Sequence, residues 1–170
     1  AKKFAEMVNT AIDEGIDLVV AGAGFSRDIF ALGKASGTPV VPIVSSVKLA
    51  KISQRLGAAA IVVEGKEAGG HLGTDQSIKD IIPDIVAAVD IPVIAAGGVL
   101  HGQDIADLIN MGVSGVQMGS RFAASAEANS APALKEFYLK AKPEDVVVIH
   151  SPVGLPGRAV RNPWAERVME

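Results

Sequence analysis

The run Pro92-Val93-Ile94-Ala95-Ala96-Gly97-Gly98 is apolar throughout and stops at paired glycines. An amphipathic stretch follows, with Ile105, Leu108 and Ile109 on one stripe and Gly112 as its stop. So uniformly apolar a segment of strand length reads as a strand buried on both faces, the habit of parallel sheets. The same phrase recurs on either side. Upstream lie Leu18-Val19-Val20-Ala21-Gly22, Val40-Val41-Pro42-Ile43-Val44-Ser45 and Ala60-Ile61-Val62-Val63-Glu64-Gly65. Downstream lies Gly115-Val116-Gln117-Met118-Gly119-Ser120. Each run ends in glycine or serine and leads into residues with helical spacing.

The helical stripes are explicit. Phe4, Met7, Val8, Ala11 and Ile12 form one, closed by Gly15. Val47, Leu49, Ala50, Ile52 and Leu56 form another, with Ser46 as N-cap and Gly57 as stop. Ile81, Ile82, Ile85, Val86 and Val89 give a third, expected to start near Asp80 so that Pro83 falls in its first turn. A last helix is expected over about residues 131–140. Alternating strand and helix implies right-handed crossovers and a parallel sheet. Two architectures satisfy that pattern: an open doubly wound sheet, and a closed eight-stranded barrel of which five strands are represented. Periodicity does not choose between them.

Composition narrows the rest. The chain has 170 residues, 49% of them hydrophobic, with 18 glycines and no cysteine. That supports one sizeable core and excludes a disulfide framework, a cysteine nucleophile and a cysteine metal site. No apolar run approaches the ~20 residues of a membrane span, and a net charge of −3 with no basic stripe argues against nucleic acid as a partner. Ala1-Lys2-Lys3 leads straight into an amphipathic segment, so no signal peptide is expected. The expectation is a soluble cytoplasmic protein with a small-molecule substrate, for which a homo-oligomer is admissible.

In either architecture ligands gather at the C-terminal ends of the strands. Gly97-Gly98 lets backbone approach a ligand and presents N–H donors to an anion, with the following helix expected to add partial positive charge. A tight turn explains that pair equally well on its own. Gly119-Ser120 adds further amides and a hydroxyl, and the two ends together match the place where barrels hold a phosphate. The third end, Glu64-Gly65-Lys66-Glu67-Ala68-Gly69-Gly70-His71-Leu72-Gly73, has the composition of a polar loop, poor as helix or strand. His71 is its acid–base candidate, since imidazole titrates near neutrality and loops at this edge carry chemistry. His101 reads as a helix-entry residue, and His150 as a structural or exposed one. Asp75 reads as solvated, Arg121 as either a phosphate neighbour or an ion-pair member, and Arg158 and Arg161 as residues that dock the tail. No metal-ligand spacing or serine triad is present, and no metal is assigned.

These three strand ends, from residue 64 to 73, 95 to 99 and 117 to 122, resemble the nitronate monooxygenase family, formerly 2-nitropropane dioxygenases. They look equally like its relative, the FMN-dependent enoyl-acyl-carrier-protein reductase of type II. The likeness runs from about Gly15 to Asn162 and includes the tail Gly157-Arg158-Ala159-Val160-Arg161-Asn162. The resemblance implies a (β/α)8 TIM barrel binding FMN. This chain would be one barrel domain over residues 1–170, supplying the fourth to eighth βα units and needing an N-terminal part for the others. It implies that Ala96, Gly97, Gly98, Gly119 and Ser120 hold the flavin phosphate, that Gly70 approaches the isoalloxazine, and that His71 is the catalytic base. The implied reaction is oxidation of an alkyl nitronate by dioxygen to a carbonyl compound and nitrite. The alternative activity is NADH-driven reduction of an enoyl thioester. Ile43 stands where one nitronate monooxygenase class has lysine, which favours the reductase-like branch. IMP dehydrogenases share the phosphate half but depend on a cysteine that is absent here. A phosphate-binding barrel fragment without catalysis is the reading outside enzymology.

Overall fold

The computed structural model describes residues 2–22, 26–150 and 154–169. In chain order its elements begin α1 (Lys2–Asp13), β1 (Val19–Ala21), α2 (Arg27–Ser36), β2 (Val40–Val44), α3 (Val47–Leu56), β3 (Ile61–Glu64) and β4 (Gly70–His71). They continue α4 (Ile78–Val86), β5 (Val93–Ala96), α5 (Gly102–Asn110), β6 (Gly115–Gln117), α6 (Ser120–Ala123) and α7 (Pro132–Lys140). A 3-10 turn at Pro143–Asp145 leads to β7 (Val146–His150), β8 (Pro156–Val160) and α8 (Pro163–Met169).

The five expected strands form one parallel sheet in the order β1-β2-β3-β5-β6. That order decides the architecture. A doubly wound sheet reverses direction at a switch point, which sends its helices to both faces. Here each strand lies beside the next in sequence, so right-handed crossovers place every helix on the same face. Val40, Val44, Ile61, Val63, Val93 and Ala95 turn to that face and share one core with Ile29, Ala50, Ile82, Ile85 and Leu108. The opposite face carries a smaller cluster, in which Val41, Val62 and Ala96 are buried and Ile43, Ala60 and Ile94 pack around them. This is an arc of a (β/α)8 barrel, with the small cluster on its inner side. Burial on both faces holds for β2, β3 and β5 and fades at the ends of the arc, where Val20 of β1 is 49% exposed.

The helices form for the expected local reasons. Ser46 Oγ accepts a hydrogen bond from the Leu49 amide at 3.3 Å, and Gly57 ends α3. One boundary differs. α4 starts at Ile78 rather than near Asp80, which leaves Pro83 inside the helix. Its N-terminal amide is held by the Glu67 carboxylate, which accepts from Ile78 N at 3.0 Å. Proline inside a helix costs about 3 kcal/mol. Ile78, Ile81, Ile82 and Ile85 are all buried, and each such side chain contributes roughly 1.5–3 kcal/mol, so packing wins.

A second sheet corrects the reading of the glycine-rich loop and the tail. Gly70 and His71, expected in a loop, form β4, and the order β4-β8-β7 is antiparallel. Arg158 pairs with Gly70 and Gly157 with His71, while β7 pairs with β8 from Val146↔Val160 to His150↔Pro156. Pro156 is tolerated in the central strand because it is the first residue, where only its carbonyl is needed, and that carbonyl accepts from Leu72 N at 2.8 Å.

Candidate functional site

β3, β5 and β6 are neighbours with one direction, so the segments following them share one rim. Adjacent strands stand about 4.8 Å apart, and Ala96 registers with Gln117, so the turns Gly97-Gly98 and Gly119-Ser120 follow neighbouring strands at the same end of the sheet. The loop after β3 folds against the first turn. Gly65 N donates to the Ala96 carbonyl at 3.2 Å. A Cβ on Gly97 would stand 2.7 Å from Ala68 N, and one on Gly98 would stand 3.1 Å from Glu67 Cβ. Both glycines have positive φ, +100° and +70°. Glycine is therefore required here by the backbone and by the approaching loop, before any ligand is considered. Gly119 differs, since a Cβ there meets nothing within 4 Å and the space above it is open.

α6 begins directly at Ser120, and its first bond runs from Ala123 N to the Gly119 carbonyl. The amides of residues 120–122 belong to a first turn and have no acceptor within the helix, the arrangement that suits a phosphate. Beyond Gly98 the expectation is not met. α5 starts only at Gly102, and the Asp104 carboxylate accepts from Leu100 N at 3.0 Å and His101 N at 2.8 Å. Those bonds, the His101 one foremost, hold the Asp104 carboxyl below its usual range. The positive end of α5 is thus answered by its own carboxylate, and an anion at Gly97-Gly98 would depend on the turn itself.

His71 and Gly70 are exposed on the rim, and the imidazole lies over Gly157, where a Cβ would stand 3.6 Å from His71 Cδ2. Side chains alternate across a strand, so Arg158, paired with Gly70, lies on the other face of the small sheet. That other face borders a cleft of about 690 Å³ between Lys66, Leu72 and Thr74 of the loop and Val148, Pro156 and Arg158 of the hairpin. Ten loop residues with four glycines are costly to order, at roughly 1–2 kcal/mol of backbone entropy each. The ties that offset this are explicit. Lys66 N donates to the Gln76 carbonyl at 2.8 Å, Ser45 Oγ to the Gly73 carbonyl at 3.0 Å, and Arg158 Nη1 to the Glu67 carbonyl at 2.9 Å.

Glu64, which ends the third apolar run and opens the glycine-rich stretch, has a more specific place. It registers with Ala96, which registers with Gln117, so all three share the inner face at the rim. Burial pushes the Glu64 carboxyl up from its ordinary value. Alternation along β3 from the buried Val62 is the signal in the sequence that would have pointed to that face. Of the remaining candidates, His101 precedes α5 as its exposed N-cap, and His150 is exposed at the end of β7. Asp75 and Arg121 are exposed, and Arg161 Nε donates to the Glu144 carbonyl at 3.3 Å. Arg158 and Arg161 therefore do tie the tail down. Among the described residues no cluster of three or more His, Cys, Asp or Glu side chains is placed to hold a metal, and no helix is long and apolar enough to cross a membrane.

Successive parallel βα units in chain order define an arc of a (β/α) barrel. The sequence model of the nitronate monooxygenase family matches residues 1–170, and the chain belongs to that family. It is 33% identical over 153 residues to (3aS,4S,5R,7aS)-5-hydroxy-7a-methyl-1-oxo-octahydro-1H-indene-4-carboxyl-CoA dehydrogenase of Rhodococcus jostii (strain RHA1), covering 90% of this chain and 43% of that one. It is 32% identical over 179 residues to a probable nitronate monooxygenase of Staphylococcus aureus (strain Newman), covering 99% and 50%. The solved structure of FabK from Thermotoga maritima superposes with a TM-score of 0.90 at 38% identity, over 95% of this chain and 52% of that one. The chain spans about half the length of the relatives it matches.

Proposed function

We propose that this chain is the flavin-phosphate and catalytic-loop portion of an FMN-dependent nitronate monooxygenase. The observation that carries this reading is the shared rim. The loop bearing His71 packs on Gly97-Gly98, and the first-turn amides after Gly119 lie on the next strand. The open space at Gly119 and the adjacent Ser120 amide fit a phosphate, so Gly119 and Ser120, with Ala96, Gly97 and Gly98, would hold the FMN phosphate. Gly70, exposed and without a side chain, would let the ring approach the loop.

Bound flavin supplies the electron-accepting ring through which dioxygen oxidises an alkyl nitronate to a carbonyl compound and nitrite. The chain's own contribution is position and electrostatics. His71 presents an imidazole at the rim, where it would donate a hydrogen bond to the nitronate oxygens and handle the proton that the departing nitrite and the carbonyl product require. The inner-face residues Val41, Val62 and Ile94 exclude water below the rim.

A second reading, reduction of an enoyl thioester by NADH, is favoured by one observation. Ile43 sits on the inner face among apolar neighbours, so β2 offers no cation to a nitronate there. An anaerobic titration of the full-length protein separates the two. Bleaching of the bound flavin by an alkyl nitronate and not by NADH is the expected result, and the reverse rejects it in favour of the reductase. A full-length preparation that stays colourless after incubation with FMN rejects both and leaves a phosphate-binding scaffold.

A further inference from the structure

We propose that Arg158 and Glu67 are positioning residues that latch the His71 loop to the phosphate turn, with the β7–β8 hairpin as the latch arm. The proposal rests on the reading of His71 as the residue that meets substrate. Three contacts meet at Glu67. Its side chain packs against Gly98, whose Cβ, if present, would stand 3.1 Å from Glu67 Cβ and 3.2 Å from Cγ. Its carboxylate accepts from Ile78 N at 3.0 Å and so fixes the segment leaving the loop. Its carbonyl accepts from Arg158 Nη1 at 2.9 Å.

Arg158 joins that hub to the histidine. Its backbone pairs with Gly70, the preceding residue Gly157 pairs with His71, and the Pro156 carbonyl accepts from the Leu72 amide at 2.8 Å. Among the described residues Arg158 makes no ion pair, so its tie to the loop is a hydrogen bond to a neutral carbonyl. The guanidinium and the three paired residues therefore set how far the imidazole stands from the Gly97-Gly98 turn. Two strand residues alone would not, because the glycines between Glu67 and His71 transmit little stiffness.

The test uses the full-length protein with Arg158→Met, which keeps the stem and removes the donors, and Arg158→Lys, which restores one. In Arg158→Met, amide hydrogen exchange at residues 70–72 is expected to rise by at least ~10-fold, with β3 and β5 unchanged. FMN affinity stays at the wild-type value, kcat with an alkyl nitronate falls by ~10²-fold, and Arg158→Lys recovers most of both changes. Unaltered exchange at residues 70–72 overturns the latch. So does a parallel loss of FMN affinity and of protection in β3 and β5, which marks a general structural role. If the wild type neither bleaches with nitronate nor turns it over, the functional reading has failed, and the exchange comparison still decides the latch. Should Arg158→Met not fold, Arg158→Gln carries the same comparison.

Discussion

Ser53 is fully buried in α3, and its Oγ finds no partner among the described residues. An unsatisfied buried hydroxyl costs about 1–3 kcal/mol, and alanine is the better helix former. Ser53→Ala is therefore expected to raise the melting temperature by about 2–4 °C per kcal/mol recovered, read by calorimetry. Glu64 carries a pH signature. Its folded-state affinity for a proton is raised by burial, so the folded chain holds more protons than the unfolded one. Stability falls as pH rises from the ordinary carboxylate range through the raised value, then levels off. Glu64→Gln should remove that decline and leave the acid side unchanged, measured by urea unfolding across pH. On the proposed function, His71→Ala should lower kcat by ~10²–10⁴-fold while flavin stays bound, since only the proton-handling group is lost. The glycine-dense strand end that makes His71 a candidate was legible in the sequence. The contacts of Glu67 and Arg158 were not, because they join a carboxylate to an amide 11 positions on and a backbone carbonyl to a guanidinium 91 positions on.

α4 shows how an element boundary escapes a local reading. Pro83 argued for a start near Asp80, but the donor that needs capping belongs to Ile78 and its acceptor comes from Glu67, eleven residues earlier. The structure accepts a proline where local rules would refuse one. Pro83→Ala restores an interior N–H opposite the Lys79 carbonyl and removes the ring clash. The gain is offset by ~0.4–1 kcal/mol of added freedom in the unfolded chain. A net rise in melting temperature is expected, and a fall would show that the bend serves the packing of the buried isoleucines. The hairpin escaped for a different reason. Val146-Val147-Val148-Ile149 is a recognisable apolar run, but its partner opens with Pro156-Gly157 and its third strand is the dipeptide Gly70-His71. Pro156-Gly157 and Gly70-His71 have low strand propensity, and pairing across the molecule overrides it.

At the scale of the molecule, the five parallel strands were legible because each is a mainly apolar run with a glycine or serine at its end. Their curvature into a barrel arc was not, since spacing along the chain is the same in singly and doubly wound sheets. The pairing order supplies that answer. It also predicts a gradient of protection. β3 and β5 have a hydrogen-bonded neighbour on each side and buried residues on both faces. β1 and β6 have one neighbour each within this chain. In the 170-residue chain, amides of residues 61–64 and 93–96 should exchange more slowly than those of residues 19–21 and 115–117. Equal rates across the sheet would contradict the burial described for it.

The bond from Arg158 to Glu67 joins residues 91 positions apart. A ribosome adding about 5–20 residues per second needs roughly 5–20 s to travel between them. During that interval β3 and β5 can already pair, while the histidine loop still lacks its clasp. The tie between the histidine loop and β8 thus forms later than the pairing of β3 with β5, and premature termination before residue 156 would yield a chain with that pairing made and the loop untied.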